Sequence, residues 1–599
     1  MLTTLTAPAF AKTWYIEEGD ITISAGKTEG TNKVTQGTTT DEEDTNTTIT
    51  NRDKDTPSSN TVTIKAENEN DKVEVKLEDV NIDASSRSEA AVSVTGKGDT
   101  TIELDGDNEL KSGAGHAGLE HNKTDTSGEL TIQDKDNNGS LEAAGGFKGA
   151  GIGSAGSNDA QVKITGGNIT ATSDDWGAGI GSGSYGTGTV EITGGEINAT
   201  GGYLGAGIGG GCNGSGNVTI SGGTIIAAGS DGAAGIGGGY YNGATVTITG
   251  DAVIKNASST KYGAGIGGGN GSDGNVTISG NAKIENATGG YGAAGIGGGA
   301  FSSPDKIGNG NVVIKDNAKI DNVQGGAYGA GIGGGIYGLS NVTIEGNTKV
   351  NATGGAGGAA IGGGAGAENN SDNNGNQITI KSNENGSPTI NAVGGGTDEG
   401  EKIVIGGAGI GAGCESDADA DITLEGKVTI TATAGKDNVA IGANGIEQEF
   451  SGLAEGSSIT RYDPEGNDIT LPTDPVPAVP SSSGGSSADA SVQESVFPGL
   501  VVTDKDGQRI SYTSIRDNNV LSLRVGRFTA SLRASLATLR QLRAEGIDTI
   551  TFQTILCSTT LSVDELLALG GEDTPVALAH SMGTARLTVG GADHSELLK

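Results

Sequence analysis

Gly205-Ala206-Gly207-Ile208-Gly209-Gly210-Gly211, followed after five residues by Asn217-Val218-Thr219-Ile220-Ser221-Gly222-Gly223, is the stretch whose reading decides the fold. With the isoleucine of the glycine unit as ruler, the unit returns at Ile152, Ile180, Ile208, Ile236, Ile266, Ile296, Ile332, Ile361, Ile410 and, degraded, Ile441. The intervals are 28, 28, 28, 30, 30, 36, 29, 49 and 31 residues. A repeat this short cannot bury an apolar face by itself and must stack on its neighbours.

Inside one repeat the apolar residues alternate, which is the period of a strand. Val190 and Ile192 face one way, then Ile197 and Ala199, then Ala206 and Ile208, with Gly194-Gly195 and Gly201-Gly202 between them. Turn pairs such as Gly222-Gly223, Gly250-Asp251 and Gly280-Asn281 tolerate a left-handed backbone and would break a helix. Three short strands and three turns per repeat predict a mainly β fold, a right-handed three-sided parallel β-helix (solenoid). The longer intervals hold Phe301-Ser302-Ser303-Pro304 and the polar run Glu368 to Asn376, expected as loops thrown out from turns.

Around this core the chain divides by composition. Residues 1–11 end in Ala9-Phe10-Ala11, the small-x-small form of a signal-peptidase site, and read as the remnant of a signal peptide on a secreted protein. Residues 12–144 carry looser versions of the strand pattern and are expected as irregular first coils, with Asp41 to Asn60 a mobile loop. Residues 145–470 are the glycine-rich repeat, and 471–494 a Pro/Ser/Gly linker. Residues 495–599 are expected as a small C-terminal α+β domain, with a helix over Phe528 to Ala544, a strand over Ile547 to Phe552, a capping box at Ser562-Val563-Asp564-Glu565, and a hairpin of Val576 to Ala579 with Ala585 to Val589.

The 599 residues include 110 glycines, 3% aromatics and a net charge of −37, which no ordinary globular core shares. So acidic a surface repels phosphates and anionic lipid, so no nucleic-acid partner is expected, while the charge leaves room for calcium. No run of eighteen apolar residues occurs, so no membrane span is expected. Cys212 and Cys414 fall six repeats apart, roughly 29 Å at about 4.8 Å per coil, too far for a disulfide. Cys557 lies in an apolar run and reads as core.

Enzymes that cut acidic polysaccharides need cations for the substrate and clustered carboxylates for the chemistry. Between Ser88 and Thr460 there is no arginine, and after His121 no histidine until His580. The adjacent pair Asp174-Asp175 reads as a solvated turn, and no catalytic residue is assigned. The aromatics gather instead. Trp176, Tyr203, Tyr262, Tyr291 and Tyr328, with Phe147, lie four or five residues before the ruler; Tyr185, Tyr241, Phe301 and Tyr337 lie five after it. Stacked coils would align them in two files at the edges of one strand, either as covers for the turns or as platforms for sugar rings. Between the files the outward positions are glycine, which predicts a close approach by a ligand, by another solenoid or by the chain itself, or else a bend too tight for side chains. Thr189, Asn217, Thr245, Asn275, Asn311 and Asn341 open the Val-x-Ile strands and are read as a structural ladder.

The two units quoted first, recurring together, resemble glycine-rich surface and adhesin-like parallel β-helix proteins of anaerobic Firmicutes and, more distantly, the clostridial carbohydrate-binding domain family with a pectate-lyase-like β-helix. The latter typically has Gly-Asp-Gly-Ile where this chain has Gly-Ala-Gly-Ile, so one Asp per coil is lost and with it a ligand of a calcium-dependent sugar site. The resemblance implies a non-catalytic extracellular or cell-surface protein binding polysaccharide or host glycan along the solenoid. A self-associating structural spacer is the alternative, and a polysaccharide lyase or hydrolase a second one.

Overall fold

A computed structural model of the chain describes residues 11–475 and 500–598, except 301–302, 304–305, 369–374, 399–402, 404, 505–509, 511, 518, 526–528, 555–556, 572–573 and 582–583. Residues 1–10 of the expected signal remnant, Phe301 and most of the expected linker lie outside the described residues. The chain forms two compact units, residues 1–480 and 481–599.

The first unit is a β-solenoid of about 15 turns. Each regular coil gives one strand to each of three parallel sheets; for the coil of Ile208 these are Ile208–Gly209, Gly216–Ile220 and Thr224–Gly229. Register is in step from coil to coil. Ile180, Ile208 and Ile236 pair in the first sheet, Val190, Val218 and Val246 in the second, and Ile197, Ile225 and Ile254 in the third. All nine side chains are buried, each worth about 1.5–3 kcal/mol against exposure. The alternation of the sequence thus becomes columns of identical residues, which carry the core.

The glycine unit does not run as a full third strand. Only Ile208 and Gly209 are extended; the Ala206 N–H donates to the Gly210 carbonyl at 2.9 Å, so the unit folds back on itself with Ile208 near its tip. The same bond recurs from Ala178 to Ser182, from Ala264 to Gly268 and from Ala330 to Gly334. A Cβ on Gly207 would lie 2.7 Å from both the Ala228 amide nitrogen and the Gly235 carbonyl oxygen, and one on Gly205 would lie 2.0 Å from the Gly177 oxygen. Backbone of the adjoining coils fills the space. The glycines are buried, and the bare face expected between the aromatic files is an internal seam of the chain against itself.

Both ends of the core are closed. At the N-terminal end Ile21–Ala25, Asn32–Gln36 and Thr39–Asp44 form an antiparallel meander, and buried Trp14 donates its indole N–H to Asp44 Oδ2 at 2.7 Å. Strands Thr39–Asp44 and Thr48–Thr50 occupy the segment expected as a mobile loop, because Asp44 and Thr48 are needed to hold Trp14 and its strand in place. At the other end Arg461, fully buried, takes the register position of Ala432 and terminates the alanine column. Its guanidinium makes two bonds to Asp474, at 2.7 and 2.9 Å, and others to Glu447 and to the Gln448 carbonyl. This is the first arginine after Arg87, and it is a structural plug.

The second unit is a small α+β domain with two sheets. One joins Val501–Thr503, Thr529–Ser535, Pro575–Ser581, Thr584–Val589 and Ala592–Asp593; the other joins Thr513–Asp517, Val520–Arg524, Thr549–Gln553 and Ser558–Ser562. The helix expected from Phe528 begins only at Leu536 and ends at Ala544. Before it, Ala530 and Leu532 alternate inward on a strand paired on both sides, so sheet pairing overrides the helical spacing of the leucines. The Ser562 hydroxyl caps helix Val563–Leu567 by accepting the Glu565 N–H, and the expected hairpin is present.

Candidate functional site

Four residues before the ruler isoleucine and five after it, the backbone of most described coils turns through the left-handed region, where an L residue costs about 1–2 kcal/mol relative to glycine. Several coils meet this requirement with glycine: Gly232, Gly292 and Gly357 at the first position, Gly271 and Gly366 at the second. Six aromatics occupy the same positions in other coils. Trp176, Tyr262 and Tyr328 stand at the first and Tyr185, Tyr241 and Tyr337 at the second, all with φ between 59° and 70°. Tyr203 and Tyr291 sit one residue before the first position.

Because the glycine unit folds back, the two files are not held apart at opposite edges of a strand. The Cys212 N–H donates to the Trp176 carbonyl at 2.7 Å, Tyr240 to Leu204 at 3.1 Å, and Ala365 to Tyr328 at 2.8 Å, so the second turn of one coil is bonded to the first turn of the coil before it. The aromatic positions form one band along the solenoid. Tyr185 and Tyr203 are 57% and 52% exposed; Tyr262, Tyr291 and Tyr337 are also exposed, while Trp176, Tyr241 and Tyr328 are half-buried.

Within the band the rings are not coplanar. Tyr262 and Tyr291 meet edge to face, with centroids 6.1 Å apart, and Tyr291 and Tyr328 do so at 5.7 Å. Phe147 and Trp176 tilt together at 5.4 Å under the ammonium of Lys148, which lies 5.0 Å from the Trp176 ring. Tyr240, which the sequence reading passed over, donates its hydroxyl to that of Tyr241 at 2.7 Å, and burial with this bond pushes its phenol up to about 12. Its ring fills the space above Gly232. Tyr262, Tyr291 and Tyr328 therefore pack partly on one another, whereas Tyr185 and Tyr203 show most ring surface to solvent.

The turns also carry polar groups. Asp175 Oδ1, Asp231 Oδ1 and Asn270 Oδ1 are buried with no hydrogen-bond partner among the described residues. Burial, with Asp174 beside it, raises the Asp175 carboxyl above its ordinary value. Cys212 and Cys414, both free and buried, have thiols pushed up to about 11 by burial, which removes them as nucleophiles near neutrality. Glu103, Asp134 and Asp136 bring ligand atoms within 4.8 Å of one another. The Asp134 carboxylate accepts the N–H groups of Asn138 and Gly139, and Lys135 Nζ lies 3.4 Å from Glu103, so part of this charge is offset inside the turn.

On the outer face of the second sheet lies a groove of about 790 Å³ across strands Gly310–Ile314, Ser340–Glu345, Asn376–Lys381 and Ala420–Glu425. Its floor is the column Asn311, Asn341, Gln377 and Asp421, in register from coil to coil. A further hollow of about 250 Å³ continues past Asn275 and Thr245. The column read as a ladder is bonded along itself from Asn311 to Asn275 at 3.0 Å. A longer amide ladder runs in the turns that follow, from Asn347 through Asn317 and Asn281 to Asp251. No helix among the described residues is long and apolar enough to cross a membrane.

Four segments of the solenoid, residues 162–184, 190–212, 218–240 and 276–300, match the family model described as Beta helix repeat. No curated protein and no solved structure matches the chain. What the chain is similar to is thus an architecture, the stacked coil of parallel β-helices.

Proposed function

We propose that this is a non-catalytic extracellular or cell-surface protein, akin to the adhesin-like glycine-rich β-helices, that binds carbohydrate along the solenoid through its band of turn aromatics. The observation that carries this reading is the use of tyrosine and tryptophan at six left-handed positions that other coils fill with glycine or with Lys148, Leu204, Ser157 and Asn213. Each ring stands there against a backbone preference of about 1–2 kcal/mol and is left wholly or partly exposed. The CH faces of sugars stack on such rings. The non-catalytic reading rests on the residue inventory: no arginine from Ser88 to Thr460, and no histidine in the regular coils.

The test is affinity gel electrophoresis and glycan-array binding of the full chain and of Trp176→Ala with Tyr203→Ala. Loss of retardation in the double variant is expected; unchanged retention would remove the band as the site. A structural spacer is the second reading, favoured by the edge-to-face packing of Tyr262, Tyr291 and Tyr328, which ties adjoining coils together. Light scattering at high concentration separates the two, since a self-associating spacer grows with concentration and a glycan binder does not require it.

A further inference from the structure

We infer that the groove on the outer face of the second sheet is a second binding site, distinct from the aromatic band, and that it takes an uncharged, hydroxyl-rich polysaccharide segment laid across the coils. This rests on the carbohydrate reading above and narrows it to a class and a place.

The groove lies where the coils are lengthened. From the ruler isoleucine to the start of the second-sheet strand the chain advances eight positions from Ile208 to Gly216, but fourteen from Ile296 to Gly310 and fifteen from Ile361 to Asn376. Asn309 and Gly375, at the ends of the two long segments, form its rim together with Asp419. The trough lined by these described residues holds about 790 Å³, the size of a site for several sugar units.

Its lining states what it accepts. Among the described residues it has no cationic and no aromatic side chain, so nothing there recognises a uronate, a sulfate or an apolar body. Asn311, Asn341 and Gln377 stack in register, and each carboxamide both donates and accepts, as do the hydroxyls of Ser340 and Thr379. A chain of sugars presents hydroxyls of the same dual character at each unit, and the stacked coils present an amide every ~4.8 Å. At one end Asp419 and Asp421 add acceptors and repel an anionic chain. Edge pairing by a peptide strand is not available along Gly310–Ile314, Ser340–Glu345 and Asn376–Lys381, which are each bonded on both sides; Ala420–Glu425, at the end of the floor, is bonded to Asn376–Lys381 alone.

The test is affinity gel electrophoresis of the full chain in hydroxyethylcellulose, polygalacturonate and chitosan, with two groove variants, Asn341→Ala with Gln377→Ala and the blocking Asn341→Trp, and the band variant Trp176→Ala with Tyr203→Ala. All are checked for unchanged circular dichroism, so that lost binding is not lost folding. Both groove variants should weaken retention by the neutral polymer about tenfold, two hydrogen bonds' worth, while the band variant still reports the groove. If the band variant loses retention and the groove variants keep it, the carbohydrate reading stands and the groove inference falls. If retention occurs only in polygalacturonate or only in chitosan, the class is wrong. If none of the three gels retards the protein, both readings fall.

Discussion

The glycine seam and the outer face of the second sheet belong to the same coils yet obey opposite rules. In the seam, a side chain is excluded because carbonyls of the next coil stand where a Cβ would be, 2.7 Å away at Gly207, and only the left-handed turn residues project. On the second sheet, alternate residues project freely, and Asn217 and Thr219 are exposed. Sequence variation in the seam is therefore constrained by backbone geometry, whereas on the sheet it is available for recognition. An aromatic that persists at a seam turn stands against that constraint, which is why the band and the groove ask for different explanations.

The contrast is broken most severely at Gly207. Gly207→Ala should destabilise the solenoid by about 3 kcal/mol, because the obstructing atoms are backbone and cannot rotate away, and urea unfolding followed by circular dichroism reads the shift. Next comes Tyr185→Gly, at a left-handed position with the ring over half exposed. Relief of the backbone offsets the entropy of glycine, so stability should be unchanged or higher by up to about 1 kcal/mol, where an ordinary tyrosine deletion lowers it. On the sheet, Thr219→Val should stay within about 0.5 kcal/mol of the parent by the same measurement.

A pH titration sharpens a related contrast, between the regular coils and the C-terminal unit. His580 is buried against Phe552 with its ring nitrogens bonded to Thr554 and Thr559, and burial holds its imidazole below the ordinary value of 6.5. The unfolded chain therefore takes up a proton first. Stability of the C-terminal unit should be full above 6.5 and decline as pH falls from there through the folded-state pKa. The regular coils hold no histidine of their own. His121, buried with its ring bonded to the Gln161 carbonyl, is held low by burial in the same way, so the first unit also loses stability in that window and the transition of the C-terminal unit is the readout. Proton-dependent melting of the full chain, with His580→Gln as control, measures it; an equal decline in the variant would contradict the assignment.

Much of the fold was legible because a solenoid turns sequence period into spatial columns: Ile152 through Ile441 predict the first sheet, and the Val-x-Ile strands the second. The reversal of the glycine unit was hidden, since the bond from Ala206 to Gly210 leaves no mark in a run where every outward residue is glycine. So the aromatic positions were found, but their arrangement was misjudged as two separated files. Strand Thr529–Ser535 was hidden by leucines at helical spacing, and the plug at Arg461 by the habit of reading arginine as surface. The groove was missed because its rim, Asn309, Gly375 and Asp419, is drawn from residues far apart in the sequence that only the stacking of coils brings together.

The central claim is that the turn aromatics are kept for recognition and not for folding. Replacing Tyr185, Tyr262 and Tyr337, all exposed and all at left-handed positions, together by glycine, then measuring thermal unfolding and glycan-array binding on the same preparation, tests it directly. The account predicts a melting temperature at or near the parent's and binding reduced at least tenfold, about 1.4 kcal/mol. A variant that melts early while binding as the parent does would contradict it.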